Sequence, residues 1–110
     1  MDMEEKILWA AIEDYAGLWE VLWEFGKEES AAGYNQIQTT VIGLFEKGFI
    51  ELYEYNDLNN KKSKIKKDII NIINEKKNWN PPEKLGITFR ISATSNGKKY
   101  YKKLIKNKAS

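Results

Sequence analysis

Residues 37–50 read Ile-Gln-Thr-Thr-Val-Ile-Gly-Leu-Phe-Glu-Lys-Gly-Phe-Ile, and the reading of this stretch decides the fold. Ile37, Val41, Leu44, Phe45 and then Phe49 are spaced for one buried helical face, which predicts a helix over 34–48. Gln36, Gln38, Thr39, Thr40 and Lys47 fall on the opposite face. Gly48 stops the helix, because glycine accepts the left-handed conformation that such a stop requires. Residues 49–55 then alternate in part and are rich in aromatics, which predicts a strand. Gly43 costs its helix roughly 1 kcal/mol relative to alanine, so its presence points to close packing there.

Upstream, Ile7, Leu8, Ala11, Ile12 and Tyr15 form one apolar stripe at helical period and predict a helix over 4–15. Glu4 and Glu5 sit in its first turn, where the helix dipole favours anions. Ala16-Gly17 breaks the pattern. Residues 18–25 predict a second, shorter helix with Leu18, Leu22 and Phe25 inward and Gly26 as its stop. Residues 27–33 are small and polar and read as a loop.

Downstream, residues 56–63 are rich in Asn and Lys and read as a loop. Ile65, Ile69, Ile72 and Ile73 predict a helix over 64–78, capped by Ser63. Asn80-Pro81-Pro82 ends it, because the residue before proline avoids the helical region. Residues 86–93 alternate cleanly and predict a strand, with Ile87, Phe89, Ile91 and Ala93 on one face. Thr94 caps a final helix. There Tyr101, Leu104 and Ile105 face inward, and Lys98, Lys99, Lys102, Lys103 and Lys106 face outward.

Two stretches in this order resemble the winged helix-turn-helix superfamily. Residues 37–50 look like its recognition helix running into the first wing strand. Ala93-Thr94-Ser95-Asn96-Gly97-Lys98-Lys99-Tyr100-Tyr101 resembles the "Leu-Thr-x-x-Gly" start of its last helix. The resemblance implies an α+β, mostly helical fold, with 1–110 as a single winged-helix domain. It would have three N-terminal helices, a two-stranded wing and a C-terminal helix. The departure is a helical insertion in the wing, over 56–85. A helix and a Trp-Pro-Pro-like turn at that place are similar to those of small bacterial winged-helix proteins of unestablished function.

Composition excludes much chemistry. Cysteine and histidine are absent, so thiolate nucleophiles, Cys-based metal sites and His-dependent triads are impossible. No glycine pattern fits a nucleotide fingerprint. The expectation is a non-enzyme without cofactor or metal. The N-terminus lacks the basic start and apolar run of a signal peptide, and no apolar stretch approaches the ~20 residues that span a bilayer. The sequence is therefore read as cytoplasmic. The formal net charge of +2 conceals a split. Residues 1–55 hold three lysines against twelve acidic residues, and residues 56–110 hold fifteen Lys/Arg against four.

Two functional readings follow. As implied by the resemblance, the chain is a DNA-binding transcriptional regulator, acting as a homodimer on double-stranded DNA. Asn35, Gln36, Gln38, Thr39 and Thr40 then read base edges, while Lys47, Lys61, Lys62, Lys64 and Lys67 hold phosphates. The third helix is nevertheless poor in cations, and the lysines also serve as a solubilising surface. Alternatively, the chain is a protein-interaction module, accessory or toxin-neutralising, on the same scaffold. Trp9, Glu13, Trp19, Glu20 and Trp23 then form its interface, since aromatics are enriched at interface cores. The competing reading of these tryptophans is that the insert or the last helix covers them. Trp79, before the prolines, pins the insert to the body.

Overall fold

The computed structural model describes residues 3–13, 15–25, 31–56, 59–80 and 86–109. It is an α+β fold. Helices α1 (Met3–Glu13), α2 (Leu18–Phe25) and α3 (Ala31–Glu46) precede strand β2 (Ile50–Asn56), with a two-residue strand β1 (Ala16–Gly17) between the first two helices. Strand β3 (Lys61–Lys64), helix α4 (Ile69–Asn74) and a 3-10 turn (Lys76–Trp79) lead to β4 (Ile87–Ala93) and α5 (Ser95–Ala109). The four strands form one antiparallel sheet in the order β1-β4-β2-β3. Its inner face supplies Ile50, Leu52 and Ile91 to a core completed by Ile7, Leu8, Ala11, Leu18, Val21, Ile37, Val41, Leu44, Ile73 and Trp79.

The α3 exit forms as its sequence requires. Gly48 takes a left-handed φ of 78°. Its N–H donates to the Phe45 carbonyl at 3.0 Å, and the Phe49 N–H donates to the Leu44 carbonyl at 3.0 Å. This is a Schellman motif, which satisfies carbonyls the helix end would leave unpaired. The start of α5 locks onto it. The Thr94 hydroxyl donates to the Gly48 carbonyl at 2.7 Å and accepts from the Gly97 N–H at 3.0 Å, while the Thr94 N–H donates to the Phe49 carbonyl at 3.0 Å. Thr94 is thus a true N-cap.

The close-packed glycine is Gly97 and not Gly43. A Cβ on Gly97 would fall on the Phe49 carbonyl, whereas the space beside Gly43 is open. Other details also differ from the periodicity. Helix α3 begins at Ala31, within the segment expected to be loop. In α2, Val21 is buried more deeply than Leu22 and Phe25. Ile87 is exposed because it begins β4 opposite Asn56, at the end of the sheet away from the core. Ile105 is exposed too. Tyr100 takes an inward place instead, stacked on Phe49 at 4.4 Å and donating to Glu4 at 2.8 Å.

The largest departure is the insert. Lys61–Lys64 form a strand where a loop was expected, paired to β2 from Tyr53↔Lys64 to Asn56↔Lys61. The Ile65 N–H prolongs this by donating to the Leu52 carbonyl at 2.9 Å. Ser63 therefore caps nothing, and the helix is confined to Ile69–Asn74, after a left-handed Asp68. Trp79 does pin the insert. It is 1% exposed, its indole N–H donates to the Ile73 carbonyl at 2.7 Å, and its ring meets Tyr34 of α3 edge-on at 5.6 Å. Asn80 is extended, as a residue before proline should be. Pro81 and Pro82 lie outside the described residues, as does most of the expected 27–33 loop.

Candidate functional site

Of the residues expected at a protein interface, Trp9, Glu13 and Glu20 share one cavity, and Trp19 and Trp23 do not line it. Trp9, Ala10 and Glu13 of α1, Glu20, Val21 and Glu24 of α2, and Tyr15, Ala16 and Arg90 line one cavity of about 210 Å³. The local sequence fixes this arrangement. Trp9 and Glu13 are one helical turn apart, as are Glu20 and Glu24, so each pair shares a face. The α1 stripe buries Ile7, Leu8 and Ala11, which turns Trp9 outward at 42% exposure. On α2, burial of Leu18 and Val21 leaves Trp23 74% exposed, three residues from Glu20 and adjacent to Glu24. Among the described residues neither the insert nor α5 covers it.

Glu20 also has a structural task. Its carboxylate accepts the Gly17 N–H at 3.2 Å, the reach-back half of a capping box at the start of α2. Trp19 lies against Gly17, where a Cβ would come within 3.1 Å of the indole nitrogen. Trp19 is half-buried and serves this turn more than the exposed face.

Tyr15 and Arg90 border both the cavity and the outer face of the sheet. Residues opposite one another across a ladder share a face. Tyr53, Tyr55, Lys62, Lys64 and Arg90 therefore lie together on that outer face. Lys62 Nζ sits 3.6 Å above the Tyr15 ring, and the Arg90 guanidinium sits 4.2 Å from the Tyr55 ring centre. Lys64 donates to Glu51 at 3.0 Å, and the Tyr53 hydroxyl donates to the other Glu51 oxygen at 2.9 Å. The Lys64 hydrogen bond is the main cause that holds the Glu51 carboxyl below its ordinary value. The bond to Glu51 pushes the Tyr53 phenol up.

The residues expected to contact DNA are divided among α3, the α3 exit, β3 and the link to α4. Asn35, Gln36 and Thr39 are exposed on α3. The Gln38 amide instead donates to the Ile73 carbonyl at 3.3 Å and to Asn74 Oδ1 at 2.9 Å, which holds α4 against α3. The Thr40 hydroxyl donates to the Gln36 carbonyl at 2.7 Å. Lys47 pairs with Glu4 at 3.1 Å. Lys61, Lys62 and Lys64 are on β3, and Lys67 is exposed in the link to α4. A larger cavity of about 430 Å³ lies between the α3 exit and the insert, lined by Phe45, Ile50, Ile65 and Ile69, with Lys64 and Lys66 among its wall residues.

Tyr15, Glu24 and Arg90 were not singled out from the sequence as site residues. Glu24 had a signal, its helical spacing from Glu20. Tyr15 and Arg90 had none, because only the pairing of Gly17 with Arg90 brings them to the cavity. Among the described residues no group of three or more His, Cys, Asp or Glu is placed to hold a metal ion, and no helix is long and apolar enough to cross a membrane. Comparison of the chain with protein-family models, with curated proteins and with solved structures finds no match.

Proposed function

We propose that the chain is a winged-helix scaffold that works as a protein-interaction module through the α1–α2 face. Support for the scaffold comes from a short β1 between the first two helices that joins β4 and β2 in the order β1-β4-β2, and from the interlock of Gly48-Phe49 with Thr94-Gly97. The observation that carries the function is the convergence of Trp9, Glu13, Glu20 and Glu24 on one cavity, with Trp23 exposed on the same helix as Glu20 and Glu24. Exposed tryptophans ringed by carboxylates fit a protein that presents an apolar anchor surrounded by lysine or arginine. The apolar anchor supplies affinity and the charges orient the encounter.

The test titrates the chain with an amphipathic lysine–leucine peptide and, separately, with duplex DNA, following tryptophan fluorescence. The peptide should give a saturable shift that is lost in Trp9→Ala and Glu13→Lys. No shift with any basic peptide, at a chain concentration low enough that the chain is monomeric, overturns the reading.

Duplex DNA binding is the second reading, favoured by the exposed Asn35, Gln36 and Thr39 and by Lys76, which the insert sets 5.8 Å from the Tyr34 ring of α3. It predicts affinity that falls steeply with salt, by a log–log slope of about 0.9 per phosphate contacted. Replacing Lys61, Lys62, Lys64 and Lys67 then flattens that slope. An absent or salt-independent shift sinks it.

A further inference from the structure

We infer that the occupant of the acidic tryptophan face is the basic sheet face of a second copy of this chain, in a two-fold symmetric dimer. The inference rests on the protein-binding reading above and names its partner. The acidic patch is Glu13, Glu20 and Glu24 with Trp9 and Trp23. The basic patch is Lys62 and Arg90 on the outer face of the sheet, beside a Lys64 that is already paired with Glu51. These patches adjoin, and Tyr15 and Arg90 form their boundary, since both line the acidic cavity while Tyr15 also touches Lys62 and Arg90 touches Tyr55.

Adjacency of opposite charges is what two-fold closure needs. An axis over the boundary carries the acidic patch of each copy onto the basic patch of the other, so every favourable contact is made twice. Patches on opposite sides of the molecule would give open chains instead. The exposed tryptophans supply the apolar centre that such an interface requires, and the charges its rim. Glu13 and Glu24 are exposed, and Lys62 engages only aromatic rings among the described contacts, so these charges are available to a partner.

Sedimentation equilibrium of the full chain tests this. The wild type should dimerise, with a dissociation constant that rises about tenfold between about 0.05 and 0.5 M salt as screening shortens. Glu24→Lys and Lys62→Glu should each weaken the dimer by roughly tenfold or more. The mixture of these two variants should recover it, because one charge-complementary pair remains native and the other is swapped. The double variant should recover it as well. Misfolded single variants cannot produce that recovery.

Two results overturn the proposal. One is a wild type that stays monomeric at every concentration. The other is a dimer whose single variants do not recover on mixing. A monomer that still gives the peptide-induced tryptophan shift removes the second copy as occupant and leaves the protein-binding reading intact. A monomer without that shift removes both.

Discussion

Gly97 and Gly43 are both helical glycines, yet substitution should affect them in opposite directions. At Gly97 a methyl group would meet the Phe49 carbonyl, a backbone atom held by the Thr94 N–H. Gly97→Ala should therefore destabilise by about 2 kcal/mol or more, since α5 must shift to relieve the overlap. At Gly43 nothing stands within 4 Å, and alanine should stabilise by up to about 1 kcal/mol through helix propensity alone. Urea unfolding of both variants checks the pair. The Glu51 cluster makes a second residue-scale prediction. A carboxyl held below its ordinary 4.5 contributes stability that is present above 4.5 and lost as pH falls through its folded value. A phenol held above 10.0 contributes stability that is present below 10.0 and lost as pH rises through its folded value. The Lys64 and Glu51 side chains are 49% and 31% exposed, so the ion pair is worth under about 1 kcal/mol. Glu51→Gln should flatten both the acid and the alkaline limb of stability against pH. Limbs identical to wild type would show that solvent screens the cluster completely.

At the scale of elements, the insert is held by few but specific contacts. Trp79 fills the space between Ile73 and Tyr34, and Gln38 fixes the end of α4. Trp79→Ala should cost about 3–5 kcal/mol and raise hydrogen exchange across residues 69–79 first, with α3 following. Exchange that stays slow across α4 would mean the indole is not its anchor. The same segment shows where sequence reading stops. The bounds of α2 and the Thr94 cap were legible, because Gly17 and Gly26 bracket one apolar helix and the cap is a local hydrogen bond. Strand β3 was not legible. Lys61-Lys62-Ser63-Lys64 has no apolar alternation, since all four residues are exposed and its pairing depends on the β2 backbone. Its lysines suit a sheet edge, where charge discourages pairing with other chains. The helix expected over 64–78 came from Ile65, Ile69, Ile72 and Ile73, whose spacing fits a helix even though Ile65 is bonded to the sheet. The left-handed Asp68 that separates strand from helix leaves no mark in the spacing. Trp9, Glu13 and Glu20 were legible as lying off the core because they fall off the buried stripes. Arg90 was not, because its place depends on the pairing of β1 with β4.

For the whole molecule, the folded arrangement decides what the charge split does. If the acidic and basic halves neutralised each other internally, ion pairs would join residues 1–55 to residues 56–110. Among the described residues Lys64–Glu51 does so, whereas Lys47–Glu4 lies within the first half and Lys77–Glu75 within the second. Lys98, Lys99, Lys102, Lys103 and Lys106 of α5, and Glu13 and Glu24 of the α1–α2 face, are instead exposed. Exposed pairs of this kind contribute little to folding, and salt screens what they do contribute. Opposed patches on separate copies respond differently, because the same charges then act on association. Urea unfolding of dilute, monomeric chain should accordingly change by less than about 1 kcal/mol between about 0.05 and 0.5 M salt. Over the same range the proposed dimer should weaken about tenfold. A loss of several kcal/mol from the monomer would mean that the two halves face each other within one molecule, and the split would then be a feature of the fold and not of its partners.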